Sequence, residues 1–380
     1  MVSIFNQQDF AIVVGTDDPD QILTWGAQSE VLGREGNDHI SGGQRFPISS
    51  GRGQFGGPTF LFGEGGDDDL FLQSGGFADG GPGNDFLMAD GVDATLSGGQ
   101  GNDQLVGADF TFIGQPAPRN LIDGGDGDDT LGGGSSTDRA FGGAGGDTVN
   151  GRGGSDYLDG GADDDRVFGG DGTDTVLGGA GNDYLNGGAG DDTVMGGAGT
   201  DTVLGDAGND YLTGGAVDDR VFGGDGADTV LGDTGNDYLN GENGDDTVVA
   251  DGGNDTVLGG DGNDYLSAGA GDDVVVGGIG NDTLFAGSGS DYLVGGDGDD
   301  MFVFDGAFQS SLIIDFAPGS GPSGHDAIQF NGGVFTSFDD LMAHAVQSAT
   351  NVIITDASGD TLTLANVLKT SLVADDFRFA

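Results

Sequence analysis

Residues 124–132, GGDGDDTLG, open a run in which a nine-residue unit of the form GGxGxDxUx, with U apolar, recurs twenty times in frame as far as Val303. The sixth position is Asp in every unit: Asp129, Asp138, Asp147, Asp156, Asp165, Asp174, Asp183, Asp192, Asp201, Asp210, Asp219, Asp228, Asp237, Asp246, Asp255, Asp264, Asp273, Asp282, Asp291 and Asp300. The eighth position is apolar in every unit, from Leu131, Ala140 and Val149 to Leu284, Leu293 and Phe302. Glycine permits positive φ and a tight turn, and the half that follows the Asp alternates like a very short strand. One nonapeptide carries the chain across one face only, so two close a turn of a flattened helix of parallel strands. The eighth-position side chains then face inward from both sides into a thin core.

This geometry puts each sixth-position carboxylate at an edge, above the carboxylate two units earlier. Like charges stacked at a strand spacing of about 4.8 Å repel strongly, so a cation belongs between them. Carboxylates and the carbonyls of a glycine-rich turn form an all-oxygen site, which suits calcium and suits zinc or copper poorly. The units GGDGDDTLG from Gly124, GGAGNDYLN from Gly178 and GGDGNDYLS from Gly259 resemble the hemolysin-type calcium-binding repeats of RTX proteins. The resemblance covers most of the chain. It implies an all-β fold, a parallel β-roll with two nonapeptides per turn, and multiple Ca²⁺ ions as cofactor.

Before the regular run the unit is interrupted. Residues 15–23 and 33–41 keep Asp20 and Asp38 at position six, while the unit between them has Ser29 there, so that edge is expected to lack a site. Residues 44–62 break the frame; Asp68, Asp85 and Asp103 then restore it, and a second break, 108–123, carries Pro116 and Pro118. Both breaks read as loops inserted in a solenoid. After Val303 the composition changes: the last 77 residues hold seven of the 84 Gly but eight of the 24 Phe. Strands are expected at 311–316 and 325–330. Helical spacing from Phe338 through Leu341, Met342, Ala345 and Val346 to Ala349, with Ser337 as N-cap, predicts one helix, followed by a hairpin of 351–355 and 361–367. The expected organisation is an irregular roll with two inserted loops over 1–123, a regular roll over 124–303, and a β-rich capping and secretion-signal region over 304–380. The resemblance also implies a type I secretion signal near the end, with LVADDFRFA (372–380) as the candidate and the secretion machinery as a partner.

With 65 acidic against 10 basic residues and a net charge of -55, the metal-free chain has the profile of a disordered polyanion. Nine gaps on each of two edges of the regular run take about eighteen Ca²⁺ ions, adding roughly +36. The acidity argues against nucleic acid and anionic membrane as partners. Cysteine is absent, so no disulfide scaffold forms. The N-terminus has no basic region ahead of its short apolar run, and no apolar stretch is long enough to span a membrane. Catalytic patterns are scarce. His39, His325 and His344 lie far apart without HExxH, GxSxG is missing, and the GxGxxG matches at 51–56 and 319–324 fall within the about four that this glycine content gives by composition.

Position seven carries Tyr every 27 residues, at Tyr157, Tyr184, Tyr211, Tyr238, Tyr265 and Tyr292, interleaved with Thr and with Arg166 and Arg220. Position nine adds Phe168, Leu177, Met195, Leu204, Phe222, Leu231, Val249 and Leu258. Outward-facing, these rows read either as duplicated strand formers or as a surface for a periodic partner, a cell-surface or matrix polysaccharide or a second copy of the chain. The functional reading is therefore a secreted, extracellular or cell-surface calcium-binding protein that folds on calcium and acts as a structural or adhesive surface. A secreted enzyme or toxin with its activity in an unrecognised segment, and an ice-binding protein, are the alternatives.

Overall fold

A computed structural model of the chain describes residues 3–6, 11–24, 29–42, 59–72, 75–90, 93–107, 119–306, 308–319 and 325–380. It divides into two units, Met1–Asp192 and Thr193–Ala380.

In the first unit the strands stack in two parallel sheets. One sheet holds Gln21, His39, Asp69, Phe86, Gln104 and Thr130 in register, followed by Thr148, Arg166 and Tyr184. The other aligns Thr95 with Leu121, Leu121 with Arg139, and then Tyr157 and Thr175. Register is set by the alternation: the eighth-position residues Ile22, Ile40, Leu70, Leu87, Leu105, Val149, Val167 and Leu185 all lie fully buried, and Val31, Leu61, Ala78, Leu96, Ile122, Ala140, Leu158 and Val176 face them. A slip of one residue would turn every one of these to solvent.

Most of 44–62 and 108–123 lies outside the described residues, but the flanking strands do not. Thr59–Gly65 pairs in parallel with Ser29–Glu35, and Leu121–Asp126 with Ala94–Gln100, so the ladder resumes at Thr59 and at Leu121, earlier than the sequence indicated. Both interruptions follow a strand of the first sheet and lead into one of the second.

In the second unit one sheet aligns Thr202, Arg220, Tyr238, Thr256, Val274 and Tyr292, and the other Thr193, Tyr211, Thr229, Thr247, Tyr265, Thr283 and Met301. Parallel pairing then runs on into the Phe-rich region. Ser310–Ile313 pairs with Tyr292–Asp297, and Ala327–Asn331 pairs with Met301–Asp305. Thr361–Leu364 adds to the first of these in parallel, and Phe377–Phe379 to the second. The enriched phenylalanines pack in two ring clusters, Phe304, Phe308, Phe330 and Phe335 in one and Phe316, Phe338 and Phe377 in the other. Phe304, Phe308 and Phe330 are fully buried, Phe304 and Phe330 stack with centroids 5.7 Å apart, and Phe335 meets Phe330 edge-on at 5.0 Å.

The helix Phe338–His344 begins as expected, Ser337 accepting the backbone N–H of Asp340. It ends five residues short of Ala349. Ala345–Ser348 is extended and pairs antiparallel with Asn351–Thr355, which pairs in turn with Thr361–Leu364. Apolar residues at 345 and 346 fit both periods, and the hairpin partner that satisfies the backbone decides for strand. Among the described residues no helix is long and apolar enough to cross a membrane.

In the regular run the fourth position takes positive φ in every unit except that of Ser136, for example 143° at Gly226 and 150° at Gly262. Val217 holds this position with φ 80°, where a β-branched residue is strained. Its counterpart 54 residues earlier is Asp163 at 79°, a residue type that tolerates this region better. Val217→Gly should therefore stabilise the calcium-loaded protein by about 1 kcal/mol, read from its denaturation midpoint; a lowered midpoint would show that the strain is not there.

Candidate metal centre

The sixth-position carboxylates are not on an exposed edge. All twenty-five, from Asp20 to Asp300, are at most 3 % accessible. The chain turns inward at this point because the Asp carbonyl belongs to the ladder: Thr148 N donates to Asp129 O at 2.9 Å, and Tyr238 N to Asp219 O at 2.9 Å.

Each side chain then reaches back one turn. Its Oδ1 accepts the backbone N–H of the Asp beneath it, as from Asp147 to Asp165 (2.8 Å), Asp156 to Asp174 (2.7 Å), Asp228 to Asp246 (2.8 Å) and Asp237 to Asp255 (2.8 Å). These bonds thread two files. In the first unit one runs Asp20, Asp38, Asp68, Asp85, Asp103, Asp129, Asp147, Asp165, Asp183, and the other Asn120, Asp138, Asp156, Asp174, Asp192. In the second unit they run Asp201, Asp219, Asp237, Asp255, Asp273, Asp291 and Asp210, Asp228, Asp246, Asp264, Asp282, Asp300.

The other oxygen is left bare. The Oδ2 atoms of Asp38, Asp68, Asp85, Asp103, Asp129, Asp147, Asp156, Asp165, Asp174, Asp219, Asp228, Asp237, Asp246, Asp255, Asp264, Asp273, Asp282 and Asp300 are buried without a hydrogen-bond partner. A buried charged oxygen without a partner is costly, so something outside the chain must meet it. What stands near these atoms is oxygen. A Cβ built on Gly223 would lie 2.5 Å from Asp228 Oδ2 and 2.5 Å from the Gly241 carbonyl oxygen; one on Gly151 would meet Asp156 Oδ2 and, at 2.6 Å, the Gly169 carbonyl. Glycine at position one thus keeps open a cradle where a carboxylate and a carbonyl converge. That donor set fits a hard divalent cation of flexible coordination. Among the described residues no three carboxylates or imidazoles gather round one point, so carbonyls would supply much of any shell.

Three cradles differ. Ala250, Ala268 and Ala286 put a buried methyl at position one, and the strands that lead into them, Thr247–Val249, Tyr265–Ser267 and Thr283–Phe285, stop at three residues where most neighbours run to six.

In the first third of the chain one side has no carboxylate in sixth-position register among the described residues. The residues in sixth-position register there are Ser29, Thr59, Gly76 and Ala94, and then Asn120. The sequence pointed to this only at Ser29, whose side chain lies outside the described residues. The signal at the other four was available: two residues before each buried Leu61, Ala78, Leu96 and Ile122 there is no Asp.

A second ladder went unread. At position five the Asx side chains are exposed and reach the opposite way, each accepting the N–H of the residue one turn later: Asn84 accepts from Asn102 (2.8 Å), Asp164 from Asn182 (2.7 Å), Asp218 from Asn236 (2.7 Å), Asp245 from Asn263 (2.8 Å) and Asn254 from Asp272 (2.8 Å). The recurrent ND and DD dipeptides carry this signal. Asp272 and Asp273 therefore do separate work, one outside and one inside.

On the outer faces, position-seven Tyr184, Tyr211, Tyr265 and Tyr292 are about two-fifths exposed. Position nine does not form open apolar stripes. Met195 is exposed, but Phe168, Leu177, Leu204, Phe222, Leu231, Val249 and Leu258 are half-covered. For two of them the tyrosine of the next turn gives cover: Phe168 packs on Tyr184 (5.9 Å) and Phe222 on Tyr238 (5.7 Å). The histidines lie beside carboxylates, His39 by Asp69 (3.4 Å), His325 by Asp376 (3.2 Å) and His344 by Asp340 (3.6 Å).

A model of the RTX calcium-binding nonapeptide repeat matches residues 30–44, 79–110 and, in overlapping copies, 119–302, more than half of the chain. A comparison with curated protein sequences finds no relative. Among solved structures the chain is similar to the extracellular lipase LipA from Serratia marcescens (16 % identity, TM-score 0.18), covering 77 % of this chain and 40 % of the lipase. It is also similar to a hyperactive, Ca²⁺-dependent, β-helical antifreeze protein from an Antarctic bacterium (20 % identity, TM-score 0.24), covering 89 % of this chain and 86 % of that one. Neither superposition is close enough to bear on ligand or activity.

Burial pushes the file carboxylates up, to about 7 at Asp147, Asp165, Asp219 and Asp264 and to about 6 at Asp129 and Asp246; the N–H each accepts offsets this in part, and neighbouring carboxylates add to the rise. Raised in the roll relative to the unfolded chain, these groups stabilise the metal-free roll at acid pH, and that stability is lost as pH rises through 6 to 7. Without divalent ions, far-ultraviolet circular dichroism should show more β-structure at pH 5.5 than at pH 8, with calcium abolishing the difference. The reverse slope would mean that the files are solvated in the metal-free chain.

Proposed function

The chain belongs to the RTX calcium-binding nonapeptide repeat family, and from that premise we propose that it is a secreted protein that folds on meeting calcium outside the cell and then serves as a structural or adhesive surface. The observation that carries this reading is the row of buried, partnerless Oδ2 atoms beside glycine carbonyls. In this reading the sixth-position aspartates are the calcium ligands, neighbours along a file sharing an ion, and the ion neutralises what would otherwise be the largest penalty in the fold.

Calcium at the level inside a cell leaves such sites empty and the chain unfolded, ready to be threaded by a type I secretion machine with residues 372–380 as its signal. Millimolar calcium outside folds the chain and prevents its return. Far-ultraviolet circular dichroism during a calcium titration tests this: β-structure should appear cooperatively with a midpoint at about 0.1 to 1 mM, and a spectrum indifferent to excess chelator would refute it.

The adhesive part rests on the outer faces. Arg166 lies in register with Tyr184, and Arg220 with Tyr238, each pair beside a half-covered Phe. Aromatic rings and guanidinium groups on a rigid lattice stack on sugar rings and bond their hydroxyls at low entropic cost. Replacing Arg166, Tyr184, Arg220 and Tyr238 by Ser should abolish calcium-dependent retention on cell-surface or matrix polysaccharide while leaving calcium stoichiometry unchanged. Undiminished retention by the variant would remove these faces from the binding surface.

A further inference from the structure

The carboxylate files end in a consistent way. Asp20, the first of its file, has its Oδ2 met by Thr16 N at 2.7 Å and Thr16 Oγ1 at 2.9 Å. Asp138, which follows the neutral Asn120, has its Oδ2 met by Gly134 N at 2.6 Å. Asp291 is met by Ser311, whose Oγ accepts Asp291 N at 3.2 Å and lies 3.3 Å from Asp291 Oδ2, its proton shared with the Phe308 carbonyl at 2.7 Å. At each of these ends a protein donor takes the place that the interior members leave bare.

Asp300, the last aspartate of the nonapeptide pattern, breaks this rule. It is 2 % accessible and its Oδ2 has no partner. Beyond it stands another carboxylate, Asp326, 4 % accessible, whose Oδ1 accepts Asp300 N at 3.1 Å. This is the relation that every interior pair shows, Asp282 N to Asp300 Oδ1 at 3.0 Å among them. The closing donor appears one step later, where Ala317 N meets Asp326 Oδ2 at 2.7 Å. The file therefore ends at Asp326, twenty-six residues past Asp300 instead of eighteen.

The glycine cradle is kept: a Cβ on Gly295 would meet Asp300 Oδ2, as one on Gly277 would meet Asp282 Oδ2. The strand Ser310–Ile313 sets Leu312 opposite Tyr292 and Ile313 opposite Leu293, so Asp315 comes opposite Gly295, where a regular turn has its next glycine. Its carboxylate accepts Gly295 N at 3.1 Å and Gly296 N at 2.9 Å.

We propose that Asp300 and Asp326 hold one further calcium ion where the repeat run meets the Phe-rich region, a site outside the nonapeptide pattern, with Asp315 on the adjoining Gly295 turn adding negative charge nearby. It rests on the reading of the files as calcium sites. The ion would do more than fill a gap. Asp326 adjoins His325, whose Nε2 lies 3.2 Å from Asp376 Oδ1, and Gly319 N donates to the same oxygen at 2.8 Å. Asp376 is fully buried and immediately precedes the strand Phe377–Phe379, which pairs with Ala327–Asn331. Occupancy of the site therefore holds the last strand of the chain in place.

Native mass spectrometry of the calcium-loaded full chain counts the ions, and hydrogen exchange reads the last strand. Asp326→Asn should carry one ion fewer than the unaltered protein and exchange faster over residues 372–380, while Asp339→Asn, an exposed helix control, changes neither. If the unaltered protein carries no calcium, the file reading itself fails. If it carries calcium and Asp326→Asn carries the same number, only the further site fails. Should Asp326→Asn shed several ions at once, Asp315→Asn decides: loss or weakened filling of a single ion supports the site, and an unchanged count and filling curve overturns it.

Discussion

A buried carboxylate with one oxygen bound and the other bare is the constraint from which this structure follows. Were both oxygens satisfied by the chain, the roll would need no ion. Were neither satisfied, the side chains would turn out to solvent and the turns would open. The division fixes the geometry first: Oδ1 holds the turn beneath through a backbone N–H, so the file is aligned before any ion arrives. It then leaves Oδ2 as a demand that water-free packing cannot meet. Against a net charge of -55, only a cation meets that demand and lowers the self-repulsion together.

The two Asx ladders complement each other because they run in opposite directions. Position six reaches back and buries its charge; position five, where it is Asn or Asp, reaches forward and stays in solvent. The outer ladder asks nothing of an ion, since its acceptors are met by backbone N–H groups and, at Asp164, Asp218 and Asp245, by an Asn side chain as well, and an exposed acceptor keeps water on its free side. Turn geometry and ion affinity are thus placed on adjacent residues, and either can vary while the other is kept. The first third of the chain shows this, since its second side loses the sixth-position Asp at Thr59, Gly76 and Ala94 and still keeps its parallel register.

The period of nine made the fold legible, because the inward eighth position and the inward-turning sixth position recur without slippage and a parallel ladder tolerates no other register. The site residues were legible as a list of aspartates, but not their burial: an edge drawn from strand geometry alone places carboxylates in solvent, whereas the Asp carbonyl and Oδ1 both bind neighbouring turns and draw the side chain in. Asp326 and Ser311 were invisible for a plainer reason. They continue the files at spacings of 26 and 20 residues, and a search by period sees only the period. The helix overran its true end at His344 because Ala345 and Val346 satisfy both periodicities, and only the hairpin partner Asn351–Thr355 separates them.

The asymmetry of the first unit bears on how the chain takes up structure. Over residues 11–107 one side of the roll carries Asp20, Asp38, Asp68, Asp85 and Asp103, while the other has none in sixth-position register among the described residues, so these turns ask for ions on one edge only. What the bare side lacks in ions it replaces with packing: Phe62 lies against Phe77 at 5.7 Å. On the first sheet, His39, Phe71 and Phe86 form a continuous aromatic row, with centroids 5.1 and 5.7 Å apart. Aromatic contacts add to area burial and do not depend on calcium. The regular run carries carboxylates on both sides and aromatic pairs of its own, Phe168 on Tyr184 and Phe222 on Tyr238, so what separates it from the irregular turns is the number of carboxylate files and not the presence of aromatic packing. Under the proposed calcium reading the regular run therefore asks for ions on both sides and the turns ahead of it on one.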